Sequence, residues 1–286
     1  MAEEAVIPHR IFLHSSYLIV NPMQFDCIEW GALESLSIAP ARLAHQAHLL
    51  PRVVRIAGLS IERRLQLLDQ NEMALAMGER ELWSCALQTT VSLEEIAAHL
   101  AGNLVLTTPH GQHFLLRFFD PRVFRHLIWI LKPGQLASLM GPVVTWSWMD
   151  IEGDGWQSAE PAEAPSAARL TPEQWGAINR IGLTNAVLRD VKRARMDVAF
   201  NEELYRRVDS VLKGAIEVEG LKDAGDQRLY AFHCVQRGNQ WQNDRAVKSL
   251  LGQVRKGAGS YRALSSEFAP AGVDQTPQER EGNQHA

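Results

Sequence analysis

An aspartate followed by a proline, set between an apolar run and an amphipathic repeat, leaves a chain few ways to fold. Residues 113–142 read HFLLRFFDPRVFRHLIWILKPGQLASLMGP. The run His113–Phe119 is too short and too rich in Phe for a helix of its own, so a buried strand is expected there. Asp120 suits a helix N-cap, because its carboxylate accepts backbone N–H groups of the first turn. Pro121 suits the first helical position, where the missing N–H costs nothing. A stiff strand–helix corner is therefore expected at Asp120-Pro121. Arg117 is its third member, since an arginine in a strand that otherwise reads as buried needs a carboxylate partner.

At about 100° per residue, the helix after Pro121 places Val123, Phe124, Leu127, Ile128, Ile130 and Leu131 on one broad face, which is expected to be buried. Arg122, Arg125, His126 and Trp129 fall on the opposite face. A large aromatic in the middle of a polar arc is what a binding surface uses, Trp and Arg being the commonest interface hot spots. These four residues are the candidate partner-binding set. A second reading of the corner has Arg117, Asp120 and Arg122 framing a recognition surface. Lys132-Pro133-Gly134 ends the helix, a short apolar helix Gln135–Met140 follows, and Val143–Trp148 reads as a strand.

Upstream, the expected elements are a strand over 10–20, a helix over Met23–Leu36, a strand Pro51–Ile56, a helix Gly58–Gly78, a strand Glu81–Thr90 and a helix opened by the capping box Ser92-x-x-Glu95. The predicted class is α+β: an N-terminal α/β lobe (1–149) with a mixed sheet and flanking helices, then an all-helical lobe (171–264). Between them, residues 150–170 carry Asp150, Glu152, Asp154, Glu160 and Glu163 with no basic residue before Arg169, and read as an acidic Pro/Ala/Gly linker. Thr171-Pro172 restarts order, with helices expected over 172–198, 201–218, 224–237 and 242–256. Residues 265–286 are polar and read as a disordered tail.

At 286 residues the chain is long enough for about two domains. A net charge of -4 favours neither a dedicated nucleic-acid binder nor a membrane-surface protein. The basic cluster Arg189, Lys192, Arg193, Arg195 is interrupted by acids and lacks interleaved aromatics, so it reads as a solvated helix face. Cys27, Cys85 and Cys234 are far apart and read as reduced thiols; residues 1–9 lack a secretion signal, and no stretch suits a membrane span. A cytoplasmic protein is expected. There is no G-x-S-x-G, H-E-x-x-H or glycine-rich phosphate loop. His45 and His48 are spaced to share a metal but have no third ligand nearby in sequence, and His233-Cys234 would diverge on a helix rather than form a dyad. No catalytic residue, metal or cofactor is expected.

The strand running into RFFDPRV, the helix after it and the stretch LKPGQLASLMGPV together resemble the core signature of domain-of-unknown-function family 4123. Leu82–Thr89 (LWSCALQT), Ser92–Leu100 (SLEEIAAHL) and Ala47–Ile56 (AHLLPRVVRI) extend the resemblance, which spans Arg10 to Trp148. The opening departs from the family, with Ile11–Val20 (IFLHSSYLIV) in place of a strand ending in a Val-Asp-Ala-Ala-like turn. The resemblance implies an adaptor chaperone of the bacterial type VI secretion system. Such a protein binds a toxic effector and helps load it onto the VgrG spike, with no catalysis, no nucleic acid and no membrane among its partners. The competing expectations are a small-molecule or anion-binding regulatory domain using Arg117 and Arg122, and a hydrolase using His233 or Cys234.

Overall fold

The computed structural model describes residues 8–21, 30–78, 81–108, 110–150, 155–166 and 168–266. It comprises two compact units, Met1–Asn185 with Asp197–Arg206, and Ala186–Met196 with Arg207–Ala286. The boundary expected at 150–170 therefore falls inside the first unit.

The first unit holds α1 (Pro8–His14), β1 (Tyr17–Val20), β2 (Ser35–Ser37), β3 (Arg52–Arg55), α2 (Ile61–Ala76), β4 (Cys85–Gln88), α3 (Leu93–Asn103), β5 (Val105–Thr107), β6 (His113–Leu115), α4 (Pro121–Ile130), α5 (Pro133–Met140), β7 (Thr145–Asp150) and β8 (Gly155–Ala159). Two helices, α6 (Pro172–Arg193) and α7 (Glu202–Glu217), start in this unit and finish in the second. Six strands form one sheet in the order β2-β3-β1-β4-β7-β8. Every pairing in it is antiparallel, so the class is α+β as expected while the mixed sheet is not found.

Both faces of the sheet are covered, which is why β1 reads YLIV with no polar alternation. Tyr17 and Ile19 point into a core with Leu93, Ile96 and Leu100 of α3, Phe124, Leu127 and Ile130 of α4, and Leu136, Leu139 and Met140 of α5. Leu18 and Val20 point the other way, into a core with Phe12 of α1 and Leu67, Leu68 and Ala74 of α2. Local chemistry sets the helix starts. Ser92 and Glu95 form the expected capping box on α3, and Ser60 caps α2 by accepting from the Arg63 N–H.

Four expectations need correction. The strand over 10–20 is only Tyr17–Val20; residues 10–14 belong to α1, whose Phe12 packs on Trp83 with ring centroids 4.8 Å apart. The helix over Met23–Leu36 lies partly outside the described residues, and beyond them Trp30–Ala32 is a single 3-10 turn and Ser35–Ser37 a strand. The buried strand His113–Phe119 is divided. His113–Leu115 pairs with β5 in a separate two-stranded ribbon and is exposed, while Leu116, Phe118 and Phe119 turn into the core through a turn closed by the Asp120 N–H on the Arg117 carbonyl, 2.9 Å. An apolar run without alternation does not say that its two halves serve different layers. Finally, the acidic linker holds an edge strand, β8, paired with β7 from Trp146↔Ala159 to Asp150↔Gly155.

The stretch after β8 is also held. The Ser166 N–H donates to the Gly134 carbonyl at 2.8 Å, and the Ser138 hydroxyl donates to the Ser166 carbonyl at 2.8 Å. Gln135 of α5 and Gln174 of α6 exchange side-chain hydrogen bonds of 3.3 and 2.7 Å, and Gln135 Nε2 also donates to the carbonyls of Ala168 and Arg169. Gly134 is required here, because a Cβ on it would sit 2.8 Å from the Ser166 Cβ.

In the second unit, α8 (Ala224–Arg237), α9 (Asn239–Asn243), α10 (Arg245–Arg255) and α11 (Tyr261–Ser265) join the ends of α6 and α7. Their core contains Leu221, Tyr230, Cys234, Trp241, Val247, Leu250, Leu251 and Tyr261. Asp226 fixes the start of α11 by accepting the N–H groups of Tyr261 (2.9 Å) and Arg262 (3.0 Å). Arg189, Lys192, Arg193 and Arg195 are exposed, and Asp190 beside them is held by both guanidinium arms of Arg228 at 2.6 Å. The tail expected over 265–286 lies outside the described residues from 267 onward.

Two outcomes are expected. Gly134→Ala should cost about 1 kcal/mol or more through overpacking, and should speed amide exchange at Ser166, as read by hydrogen–deuterium exchange. His233, half-buried and hydrogen-bonded through Nδ1 to the Tyr261 hydroxyl at 3.0 Å, is held down to about pKa 4 by burial and then by Arg237. The unfolded chain therefore binds this proton more tightly, and stability should fall as pH drops from the ordinary value of 6.5 toward 4, by roughly 3 kcal/mol at most. Urea unfolding across that range should show a smaller loss for His233→Gln than for the parent chain.

Candidate partner-binding face

The corner forms where the sequence puts it. Asp120 caps α4 by accepting the Arg122 N–H at 3.0 Å, with Pro121 in the first turn. Its buried carboxylate also takes Arg122 Nε at 3.0 Å and Nη2 at 2.9 Å, and Arg117 Nη2 at 3.3 Å. The expected Arg117 pairing is thus present, but Arg117 is no buried strand residue: both arginine side chains are about half exposed, 55% and 52%. Two guanidinium groups on one carboxylate leave the corner positive on its solvent side. Behind it, Phe124 stacks on Trp146 of β7 at 4.6 Å, and Phe118 meets the same indole edge-on at 6.0 Å. The Cys85 thiol donates to the Phe119 carbonyl at 3.4 Å, and burial raises its pKa far above the ordinary range, so it stays a thiol.

Of the four residues expected on a free face of α4, the structure leaves two near solvent. Arg122 is exposed and Trp129 is half-buried, whereas Arg125 and His126 are buried, at 4% and 0%. The angular argument failed because α4 is covered on two sides. Its apolar side meets the sheet, and its polar side meets Asn185 of α6 and Tyr205 of α7, both in the first unit.

The contacts there are closely specified. Arg125 Nη1 donates to Asp150 Oδ1 at 2.8 Å, and Tyr205 Oη donates to Asp150 Oδ2 at 2.9 Å. Arg125 Nη2 donates to Asn185 Oδ1 at 2.6 Å, while Asn185 Nδ2 donates to the Arg122 carbonyl at 2.9 Å, which settles the orientation of the amide. His126 Nε2 lies 3.0 Å from Asn185 Oδ1 and its Nδ1 accepts the Trp129 indole N–H at 3.3 Å, so one tautomer, protonated at Nε2, meets both roles. The Arg125 guanidinium lies 4.9 Å from the centre of the Tyr205 ring. On the outside, Arg206 covers the Trp129 ring at 5.2 Å and donates to Glu202 at 2.7 Å.

Asp150, Asn185, Tyr205, Glu202 and Arg206 were not singled out in the sequence. Asn185 carried a weak signal, a polar side chain immediately before the apolar run Ala186–Leu188. Among the described residues, no group of three or more His, Cys, Asp or Glu could hold a metal ion, and no helix is long and apolar enough to cross a membrane. His45 and His48 are exposed on the 3-10 segment Ala41–Leu49. His233 and Cys234 face different partners: His233 meets Tyr261, and burial pushes the Cys234 thiol up to about 11.

Breaking the buried pair should be expensive. Asp150→Asn leaves the Arg125 guanidinium without a counter-charge, and Arg125→Met leaves the carboxylate with Tyr205 as a remaining donor. Each should cost about 3–5 kcal/mol by urea unfolding, and the double variant should cost clearly less than the sum of the two.

Neither the curated proteins nor the solved structures gave a match. The family comparison did: residues 39–138 match the family described as a domain of unknown function, DUF4123. The match begins after the divergent opening Ile11–Val20 and takes in β3, α2, β4, α3, the ribbon, the corner, α4 and most of α5. Residues 39–138, which include the capped corner toward their C-terminal end, are thus the part of the chain that is similar to the DUF4123 family.

Proposed function

We propose that the protein is a cytoplasmic adaptor chaperone of a type VI secretion system, which binds a toxic effector and delivers it to the VgrG spike without chemistry of its own. The reading rests on the family match over residues 39–138. The corner is compatible with it: Asp120 and the aromatic layer beneath hold Arg117 and Arg122 rigidly, so a partner meets donors already in place and binding costs little ordering. A free-anion sensor is the weaker reading, because Asp120 already cancels part of the charge on both guanidinium groups, which leaves a small anion little to gain without the further contacts a polypeptide makes. Along α4, Arg122 and Trp129 are the members of the candidate set that a partner can reach, while Arg125 and His126 act from inside by orienting Trp129 and the neighbouring helices.

Co-expression with a toxin and a spike protein encoded beside this chain should give a complex with the toxin that survives size-exclusion chromatography. Trp129→Ala should weaken it by about 1 kcal/mol or more, the scale of a hot-spot loss, in calorimetric titration. If no neighbouring toxin binds, the adaptor reading fails; an unchanged affinity for Trp129→Ala removes that residue from the interface.

A further inference from the structure

The ribbon formed by β5 and β6 carries an open edge with an unusual composition. Leu116 N–H donates to the Leu104 carbonyl and Thr108 N–H to the Gln112 carbonyl, both at 2.8 Å, with Leu106 opposite Phe114 between them. Antiparallel alternation therefore turns the N–H and C=O groups of His113 and Leu115 to the outer side of β6. Among the described residues, those groups have no hydrogen-bond partner. Phe114 and Leu115 are exposed at 40% and 46%, one on each face of the ribbon. No Asp or Glu occurs between Glu95 and Asp120, whereas His113 lies in β6 and Arg117 two residues beyond it, joined to Arg122 through the Asp120 carboxylate. The edge strand β8 differs: it presents Gln157 and Ser158 and runs into Glu160.

We infer that the outer edge of β6 takes up an extended segment of a partner protein as an added strand, and that this segment alternates apolar with acidic residues. The inference deepens the adaptor reading and names the surface that reading would use. Backbone pairing with His113 and Leu115 supplies the affinity, Phe114 and Leu115 take the apolar positions, and carboxylates answer Arg117 and Arg122. Charge selects an acidic partner over a second copy of this chain, since the ribbon offers no carboxylate to another copy's arginines.

The test uses a fluorescein-labelled peptide of alternating Glu and Val, about seven residues long, titrated against the full chain by anisotropy, together with hydrogen exchange on the purified toxin complex. Leu115→Pro removes only an outward N–H and leaves the ribbon's own ladder intact; Arg117→Glu reverses the charge without touching the strand. Each should weaken peptide binding about tenfold, Leu115→Pro with the melting temperature unchanged and Arg117→Glu with the chain still folded at the titration temperature, and the His113 and Leu115 amides should exchange about tenfold more slowly in both complexes. Affinities within twofold for Arg117→Glu, or ribbon-paired dimers in sedimentation, overturn the edge assignment. A toxin complex that leaves both amides unprotected overturns it too, while sparing the adaptor reading. Peptide protection of the edge without any toxin complex supports the edge and removes the adaptor role.

Discussion

Burying a guanidinium is the demand to which most of the first unit answers. Arg125 lies on the side of α4 away from the sheet, and out of water it needs both a counter-charge and acceptors for its remaining donors. Asp150 supplies the charge from the end of β7, and Asn185 an acceptor from α6. Tyr205 of α7 bonds the second carboxylate oxygen and lays its ring against the cation. These partners come from elements far apart in sequence, and together they engage both Nη atoms of Arg125 and both carboxylate oxygens of Asp150. Replacing such a network with apolar side chains can be neutral or better for stability. Its value is in rejecting wrong arrangements, because any shift of α6 or α7 strands a charge. The first unit accordingly runs past the acidic stretch after Asp150 into two helices: α6 as far as Asn185 and the first turn of α7 with Tyr205 complete the shell around Arg125.

A second constraint runs through the stretch that carries the family signature. Gly134 has no side chain because the chain around Ser166 crosses it in contact, and Gln135 is buried because it serves the Lys132 N–H, two carbonyls of that crossing chain and Gln174. Gly141, with φ of +60°, ends α5 where a Cβ would collide with the His99 ring, itself hydrogen-bonded to the Leu139 carbonyl. The motif residues that look like turn punctuation in the sequence are in fact surfaces of close approach.

What was legible in the sequence was local. Asp120-Pro121, Ser92-x-x-Glu95 and Thr171-Pro172 each set a helix start through groups within four residues, and each start is found. Phe124, Leu127 and Ile130 are buried as the angular argument requires. The failures come from backbone pairing and from second neighbours. Gly155–Ala159 is polar because it is an edge strand, and composition cannot distinguish an exposed strand from an exposed linker when the difference lies in main-chain hydrogen bonds. Arg125 and His126 looked solvated because charge and polarity were read from one helix alone, whereas the groups that satisfy them sit on Asp150, Asn185 and Tyr205. Arg117 was legible as an arginine in need of a carboxylate, and the structure supplies it from Asp120, three residues on.

Placing Arg117 just past β6 resolves a difficulty that the ribbon otherwise poses. An exposed strand edge with Phe and Leu is a template for unwanted association, and proteins commonly blunt such edges with nearby charge. Here the blunting charge is of one sign, with no carboxylate on the ribbon to neutralise it from a neighbouring copy. A surface guarded in this way repels its own kind and ordinary basic strands, yet the same guanidinium groups become attractive to an extended segment bearing carboxylates. Asp120 keeps them at fixed positions while cancelling part of their charge, so the edge remains positive enough to select without being so positive that the corner unfolds through self-repulsion. Protection from aggregation and choice of partner then follow from one arrangement of three side chains.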